Sequence, residues 1–303
     1  MSLLVVGSVA FDAIESPYGK EERIIGGAAT YFAVAASYFT HVNLVGIVGD
    51  DFTAKDEKIF RGRRIDTTGL ERAAGKCFFW AGRYSENLNE RVTLATELNV
   101  FADFNPKLPA KYVDSKYVFL ANIAPNLQRS VLHQVKKRPK VVALDTMNYW
   151  IERTPDDLKE TLKHIDILVI NDSETRQLSN EHNLLRAAKH IFKMGPSALV
   201  IKRGEYGALL VDKNGVFCVP AVPLEEPHDP TGAGDAFAGG FMGYLAGCGQ
   251  RNDAALRRAM VYGTVMGSFT VEEFGPRRLA RLKTKEIHAR ARHILKLSQF
   301  KLR

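Results

Sequence analysis

The chain has 303 residues, 42 Lys and Arg against 34 Asp and Glu, a formal net charge of +8, and 46% hydrophobic residues. These proportions belong to an ordinary soluble globular protein of one large α/β domain or two average ones, and at this size no metal or disulfide staple is needed for a stable core. The three widely spaced cysteines, Cys77, Cys218 and Cys248, include no CxxC pair; they exclude a disulfide framework and predict free thiols in a reducing cytoplasm.

In chain order, the apolar run Leu3 to Val6 ends in Gly7-Ser8 and reads as a buried strand. It lacks a basic leader and is too short for a signal peptide or a membrane span. Further apolar runs follow at Asn43 to Val48, Tyr117 to Ala121, Val141 to Asp145, Ile167 to Asn171 and Ala198 to Lys202. Helix-like segments alternate with them at Ala28 to Phe39, Asn126 to Lys137, Pro155 to His164 and Asn183 to Met194. This alternation predicts a mostly parallel sheet covered by helices on both faces. Asp145, Asn171 and Lys202 close their strands, and ligands in such sheets bind at the carboxyl ends.

Two stretches break the alternation. Residues 11–25 are polar around Pro17-Tyr18-Gly19, and residues 76–101 carry a period-2 pattern. In the second, Val92, Leu94, Leu98 and Val100 alternate with Arg91, Thr93, Glu97 and Asn99, which predicts antiparallel strands with one wet face. A small sheet beside the core would serve as a lid, a dimer surface or both. Asp212-Lys213-Asn214-Gly215 joins two short strands as a hairpin, and Asp253 to Thr270 reads as a helix rich in small residues. No linker or repeat divides the chain, so one domain over residues 1–303 is expected, with lid segments at 11–25 and 76–101.

The chemistry centres on Asp229-Pro230-Thr231-Gly232-Ala233-Gly234-Asp235, which precedes the apolar run Ala236 to Ala246. Glycines let backbone N–H groups converge on an anion, and a helix starting there adds the positive end of its dipole. A carboxylate would repel that anion, so Asp235 points to proton abstraction from an attacking group; a simple helix cap is the alternative. Asn171 and Glu174 at a strand end suit Mg²⁺-bound water and phosphate oxygens, or else a capping box for the next helix. Gly204 and Gly207, after Lys202, would let a nucleotide approach the backbone. Gly26-Gly27 precedes a helix, and Asp12 follows the first strand.

Together these residues resemble the ribokinase-like, or PfkB, family of carbohydrate and nucleoside kinases. The resemblance spans nearly the whole chain, through Gly26-Gly27, Val45-Gly46-Ile47-Val48-Gly49-Asp50-Asp51, Asn171-x-x-Glu174, Gly204-x-x-Gly207 and the Asp229–Asp235 loop followed by Gly239-Gly240. It implies a three-layer α/β/α fold with a small β-sheet lid and an ATP- and Mg²⁺-dependent phosphoryl transfer to a hydroxyl of a sugar, cyclitol or nucleoside. Asp235 would be the general base, and the N–H groups of Gly232, Ala233, Gly234 and Asp235 the anion hole. Asn171, Glu174, Lys202, Gly204 and Gly207 would hold the nucleotide, with Glu174 reaching Mg²⁺ through water. Asp12, Gly26 and Gly27 would bind the acceptor, and Asp229 and Thr231 a monovalent cation such as K⁺. Pairing of lid sheets would make a homodimer. Tyr31 stands where ribokinase-type members carry an asparagine that meets sugar hydroxyls, and a phenol cannot reproduce the amide's pattern.

The rival readings are a nucleoside kinase of the same family, a catalytically idle relative that senses nucleotide or sugar, and a nucleic-acid-binding protein. The last rests on the basic stretch Arg277 to Arg303 alone. That stretch has no aromatic interleaving and reads as the solvated face of a helix, so neither nucleic acid nor membrane is expected as a partner.

Overall fold

Strands that are apolar at consecutive positions must bury both faces, and this chain does so between two layers of helices. The computed structural model describes residues 2–299. Its strands begin with β1 (Ser2–Val6), β2 (Ala10–Ser16), β3 (Gly19–Gly26), β4 (His41–Val48), β5 (Ile65–Arg72), β6 (Phe78–Tyr84) and β7 (Arg91–Glu97). They continue with β8 (Tyr117–Leu120), β9 (Val141–Leu144), β10 (Ile167–Asn171), β11 (Ala198–Lys202), β12 (Ala208–Asp212) and β13 (Gly215–Val219). The helices are α1 (Ala28–Ala36), α2 (Pro125–Gln134), α3 (Asn148–Arg153), α4 (Pro155–Leu162) and α5 (Asp172–Ser179). After them come α6 (Leu184–Phe192), α7 (Ala233–Cys248), α8 (Asp253–Thr270), α9 (Arg277–Ala280) and α10 (Thr284–Leu297).

The large sheet runs β13-β12-β11-β10-β9-β8-β1-β4-β5, with every neighbouring pair parallel except β11–β12 and β12–β13, so that β12 alone runs against the rest. Strand order reverses on either side of β1, and the carboxyl ends of β1, β9, β10 and β11 open on the same edge. Alternate strand residues feed two cores. Leu3, Val5 and Val200 meet Phe32, Phe241 and Met266 under α1, α7 and α8. Leu4, Val6 and Leu199 meet Val131, Leu158 and Ile191 under the helices of the opposite face. This is the expected three-layer α/β/α architecture. The second sheet, β3-β2-β6-β7, lies beside it and is antiparallel except where β2 and β6 run parallel.

Several sequence readings change in detail. The helices predicted at 28–39, 126–137, 155–164 and 183–194 stop two or three residues early. Strand β5 and helix α3 went unread. In the second lid stretch the alternation ends at Glu97, and Asn99–Asp103 winds into a 3₁₀ turn that buries Val100. Val92 and Leu94 are not the dry face of the sheet: they are 63% and 52% exposed. The basic C-terminal stretch is helical as expected over α9 and α10, and residues 300–303 of it lie outside the described residues. There Arg278 and Arg290 pair with Glu272 and Glu286 rather than facing solvent together.

Small side chains let α7 wedge between α1 and α8. A Cβ on Gly239 would stand 2.4 Å from the Phe32 carbonyl oxygen, and one on Gly240 would stand 2.6 Å from the Tyr262 carbonyl oxygen. Backbone cannot swing aside as a flexible side chain can. Gly239→Ala is therefore expected to destabilise the fold by about 1–3 kcal/mol, the range typical of overpacking, read as a lower urea midpoint at unchanged slope.

Candidate active site

Asp229 begins the site from below. It is fully buried; its Oδ1 accepts the Thr231 N–H at 2.8 Å and its Oδ2 the Gly275 N–H at 2.9 Å. These bonds clamp the loop to the turn that follows α8. Gly232 then adopts φ 73°, and a Cβ there would lie 2.4 Å from the Tyr31 ring. Only glycine meets both conditions without strain. Helix α7 starts at the next residue and carries Asp235 in its first turn. The Ala233 N–H is already directed to the Pro230 carbonyl at 3.2 Å. The other first-turn N–H groups lack intrahelical acceptors by the geometry of a helix start.

The strand ends supply the opposite wall. Lys202 Nζ donates to Asp145 Oδ2 at 3.1 Å and lies 3.1 Å from where a Gly234 Cβ would stand. The ammonium thus sits directly beneath the first turn of α7. Burial works against its charge, but the carboxylates of Asp145, Glu174 and Asp235 outweigh that and raise its pKa. Asn171 and Glu174 form a reciprocal capping box: Asn171 Oδ1 accepts the Glu174 N–H at 2.7 Å and Glu174 Oε2 accepts the Asn171 N–H at 2.8 Å. The capping alternative is therefore built. It leaves the Asn171 Nδ2 and the second Glu174 oxygen for other partners. Burial raises the Glu174 carboxyl, with Lys202 opposing. Burial, then the charge of Asp145, pushes Asp235 up to about 7, while Lys202 pulls it down.

Asp12 enters from β2 of the small sheet. It is buried, and its pKa is pushed up to about 8 by desolvation first and then by Asp229 and Asp235, against a hydrogen bond from the Gly27 backbone. A Cβ on Gly26 would fall 1.9 Å from Asp12 Oδ2, so Gly26 makes the room that this carboxylate occupies. Gly27 caps α1 without leaving its start bare: Ser8 takes the Ala28 N–H on Oγ and the Ala29 N–H on its carbonyl, both at 3.0 Å. Tyr84 Oη and Thr231 Oγ1 stand 3.0 Å apart, joining the small sheet to the loop. Farther out, the tip of the small sheet reaches the Lys202–Gly207 turn. Asn89 Nδ2 donates to Glu205 Oε1 at 3.1 Å, and Asn89 Oδ1 crowds Gly204. Gly207 closes that turn, its carbonyl accepting the Arg203 N–H at 2.9 Å.

The structure brings Asp12, Asn171, Glu174, Lys202, Asp229, Thr231 and Asp235 together near the first turn of α7, and Gly204 follows Lys202 in the turn beyond. Sequence reasoning placed Asp145 among the strand ends where ligands bind but gave it no specific role, and gave none to Arg91. Arg91 pairs across from Tyr84, stands 5.5 Å from the Trp80 ring, and its charge lowers the carboxyls of both Asp12 and Asp235. No local signal marks such an arginine; only the β6–β7 register reveals it. Asp145 was legible in principle, as the third polar residue ending a parallel strand.

The model of the pfkB family of carbohydrate kinases matches residues 2–282. The chain is 32% identical over 254 residues to the cytidine kinase of Thermococcus kodakarensis, covering 82% of this chain and 90% of that protein. It is 25% identical over 288 residues to an inositol 3-kinase of Arabidopsis thaliana, covering 90% and 74% of the two. The structure of a Burkholderia thailandensis nucleoside kinase in complex with inosine superposes with a TM-score of 0.79 at 20% identity, over 97% of this chain and 99% of that one. The chain belongs to the pfkB carbohydrate kinase family and is a phosphotransferase with an alcohol acceptor, as its sequence resemblance implies.

The Asp12 carboxyl titrates near 8 in the folded protein, against about 4 for an unfolded aspartate. Folding thus penalises its charged form, and the stability it allows at low pH is lost as pH rises toward 8. Asp12→Asn carries no such penalty. The melting temperature of the variant relative to wild type is expected to rise by about 3 °C or more between pH 5 and pH 8.5, a shift that calorimetry resolves.

Proposed function

We propose that this kinase transfers the γ-phosphoryl group of ATP to a hydroxyl of a small polyol, with Asp235 as general base. The observation that carries the reading is the placement of Asp235 in the first turn of α7, with the Lys202 ammonium beneath that turn. As the acceptor oxygen attacks phosphorus, its proton passes to Asp235 and the bond to the ADP oxygen breaks. The Gly232–Asp235 backbone holds the transferring group against the positive helix end through the N–H groups other than that of Ala233, which is bonded to Pro230. Phosphoryl transfer needs little more from a protein than this positioning and charge balance.

Around that centre, Lys202, the Asn171 amide and the turn bearing Gly204 and Gly207 line the nucleotide. Hard carboxylate oxygens suit Mg²⁺, which keeps its waters; Glu174 has one oxygen outside the capping box and would hold the ion through water, where it would neutralise phosphate charge. Asp229 and Thr231 are the proposed monovalent-cation holders. A cation there would share the Asp229 carboxylate with two N–H donors. Asp12, with Gly26 and Gly27 behind it, takes acceptor hydroxyls, and the small sheet acts as the lid.

The likeness to cytidine kinase supports a nucleoside acceptor. The likeness to inositol 3-kinase favours a cyclitol as the second reading, with simple sugars alongside. Exposed Val92 and Leu94 on edge strand β7 support a homodimer through the small sheets. Among the described residues no helix is long and apolar enough to cross a membrane. A cytoplasmic location is the proposed setting.

A coupled ADP-release assay against nucleosides, inositols and sugars tests the proposal. Asp235→Asn should lower kcat at least about a hundredfold with little change in ATP affinity. Near-wild-type turnover in that variant sinks the assignment. Because the base works only when deprotonated and titrates near 7, kcat/KM should climb as pH rises through about 7 and level off above it.

A further inference from the structure

The edge of the large sheet opposite the Lys202 ammonium carries a second cluster of basic groups. Helices α2 and α4 return the chain between parallel strands, so their last turns lie at the amino-terminal ends of β9 and β10. A cavity of about 180 Å³ opens there. Arg129, Leu132 and His133 line it from α2, Arg138 and Pro139 from the connection to β9, and His164 from the segment after α4. No carboxylate is among the lining side chains. The connection is fixed at both ends: the Lys136 N–H donates to the Val113 carbonyl at 3.0 Å, and the Lys140 N–H to the Lys116 carbonyl at 2.7 Å. Pro139 is buried between them.

The acids nearby are already engaged. Asp157 Oδ1 accepts from Arg129 Nη2 at 2.9 Å, and Glu160 pairs with Lys163 at 2.5 Å. Asp114 pairs with Lys136, and Asp166 is shared among Arg138, Arg251 and the Val142 N–H. Lys137 and Lys140 are exposed and have no carboxylate partner among the described residues. The His133 and His164 rings stand 6.5 Å apart, and neither makes a hydrogen bond among those residues. A helix end carries only about half a negative charge. That would account for His133 and Lys136 at the end of α2. It does not account for Arg129 within the helix and Arg138 beyond it lining one cavity with two imidazoles.

The donors are not all spent. Among the described residues Arg129 keeps its Nε–H, and Arg138 commits only one Nη to Asp166. A guanidinium meets phosphate oxygens through its planar fork, and an imidazole offers at least one N–H in either protonation state. Leu132 and Pro139 add apolar walls, and a drier surround strengthens such bonds. Pockets for drug-sized ligands run about 300–1,000 Å³, so this one takes a headgroup and not a whole nucleotide. We infer that the cavity between α2 and α4 binds a phosphate-class oxyanion, either free phosphate or the phosphoryl end of a monoester. The site is separate from the Asp229–Asp235 loop, and the inference does not depend on the choice of acceptor or base.

Titration of inorganic phosphate into the full chain, with histidine rings labelled for NMR and pH held fixed, tests it. The His133 and His164 signals, identified through His133→Gln and His164→Gln, should shift together and saturate with a Kd of about 5 mM or tighter. Those of His41 and His288 should stay in place. Arg138→Gln should weaken that Kd at least about fivefold. Its melting temperature should stay within about 2 °C of wild type, because the Arg138 side chain is 54% exposed. Should it fail to fold, His164→Gln takes its place, read on the His133 signal with the same expected loss. Lys137→Gln removes an equal charge outside the cavity and should change Kd less than about twofold. Glycerol 3-phosphate binding at least as tightly as phosphate makes a monoester the ligand, and weaker binding makes it free phosphate; the site stands in both cases. A Kd weaker than about 5 mM overturns the inference. So do shifts that chloride reproduces at matched ionic strength, a smaller loss in Arg138→Gln, or an equal loss in Lys137→Gln.

Discussion

The site depends on one buried ammonium among carboxylates. Asp12, Asp145, Glu174, Asp229 and Asp235 all converge near the start of α7, and burial raises each of their carboxyls. Left alone, such a cluster would hold its protons and lose its capacity as a base. Lys202 counters this from the end of β11, bonded to Asp145 and within the field of Glu174 and Asp235. Its position follows from sheet register: Lys202 pairs with Asn171, so the cation and the Asn171–Glu174 cap arrive side by side. The result is an Asp235 that titrates near neutrality rather than one held protonated.

The same backbone that makes the site also limits what the sequence may contain. Helix α7 must come close to α1 at Gly239 and to α8 at Gly240, or its first turn would not reach Lys202. Asp229, by holding both Thr231 and Gly275, ties that first turn to the far end of α8. Stability and positioning therefore share residues here. The loop is held by packing and by the two hydrogen bonds that Asp229 accepts from Thr231 and Gly275.

Much of this was legible from the residues. The parallel strands announced themselves as apolar runs because burial on both faces demands it, and the Asp229–Asp235 loop because glycine and a capping carboxylate rarely combine so densely. β5 was not legible: Asp66, Thr67, Thr68, Glu71 and Arg72 give an edge strand little apolar signal. The small sheet was recognised as strands, but its edge strand β7 has no dry face: all its residues except Ala95 are exposed. Period 2 says that residues alternate in facing; it cannot say whether either face is covered when the strand lies at the edge of a sheet away from the core. Asn171 and Glu174 were open to two readings because a capping box and a phosphate-side donor set use the same residue types. The structure builds the cap, with Asn171 Oδ1 and Glu174 Oε2 both engaged in it.

The small sheet contributes its own groups to the cluster at the start of α7. Asp12 on β2, Tyr84 on β6 and Arg91 on β7 bring an acid, a phenol and a cation to the same cluster. Its tip touches the nucleotide-side turn through Asn89 and Glu205. A sheet joined to both the Asp229–Asp235 loop and the Lys202–Gly207 turn cannot withdraw from one without loosening the other. Withdrawal would also remove Arg91, whose charge helps keep Asp12 and Asp235 ionisable, and would admit water to the buried carboxylates. On the proposed lid role, the polarity of the site and the seating of the sheet are coupled, because the groups that set the first are carried by the second.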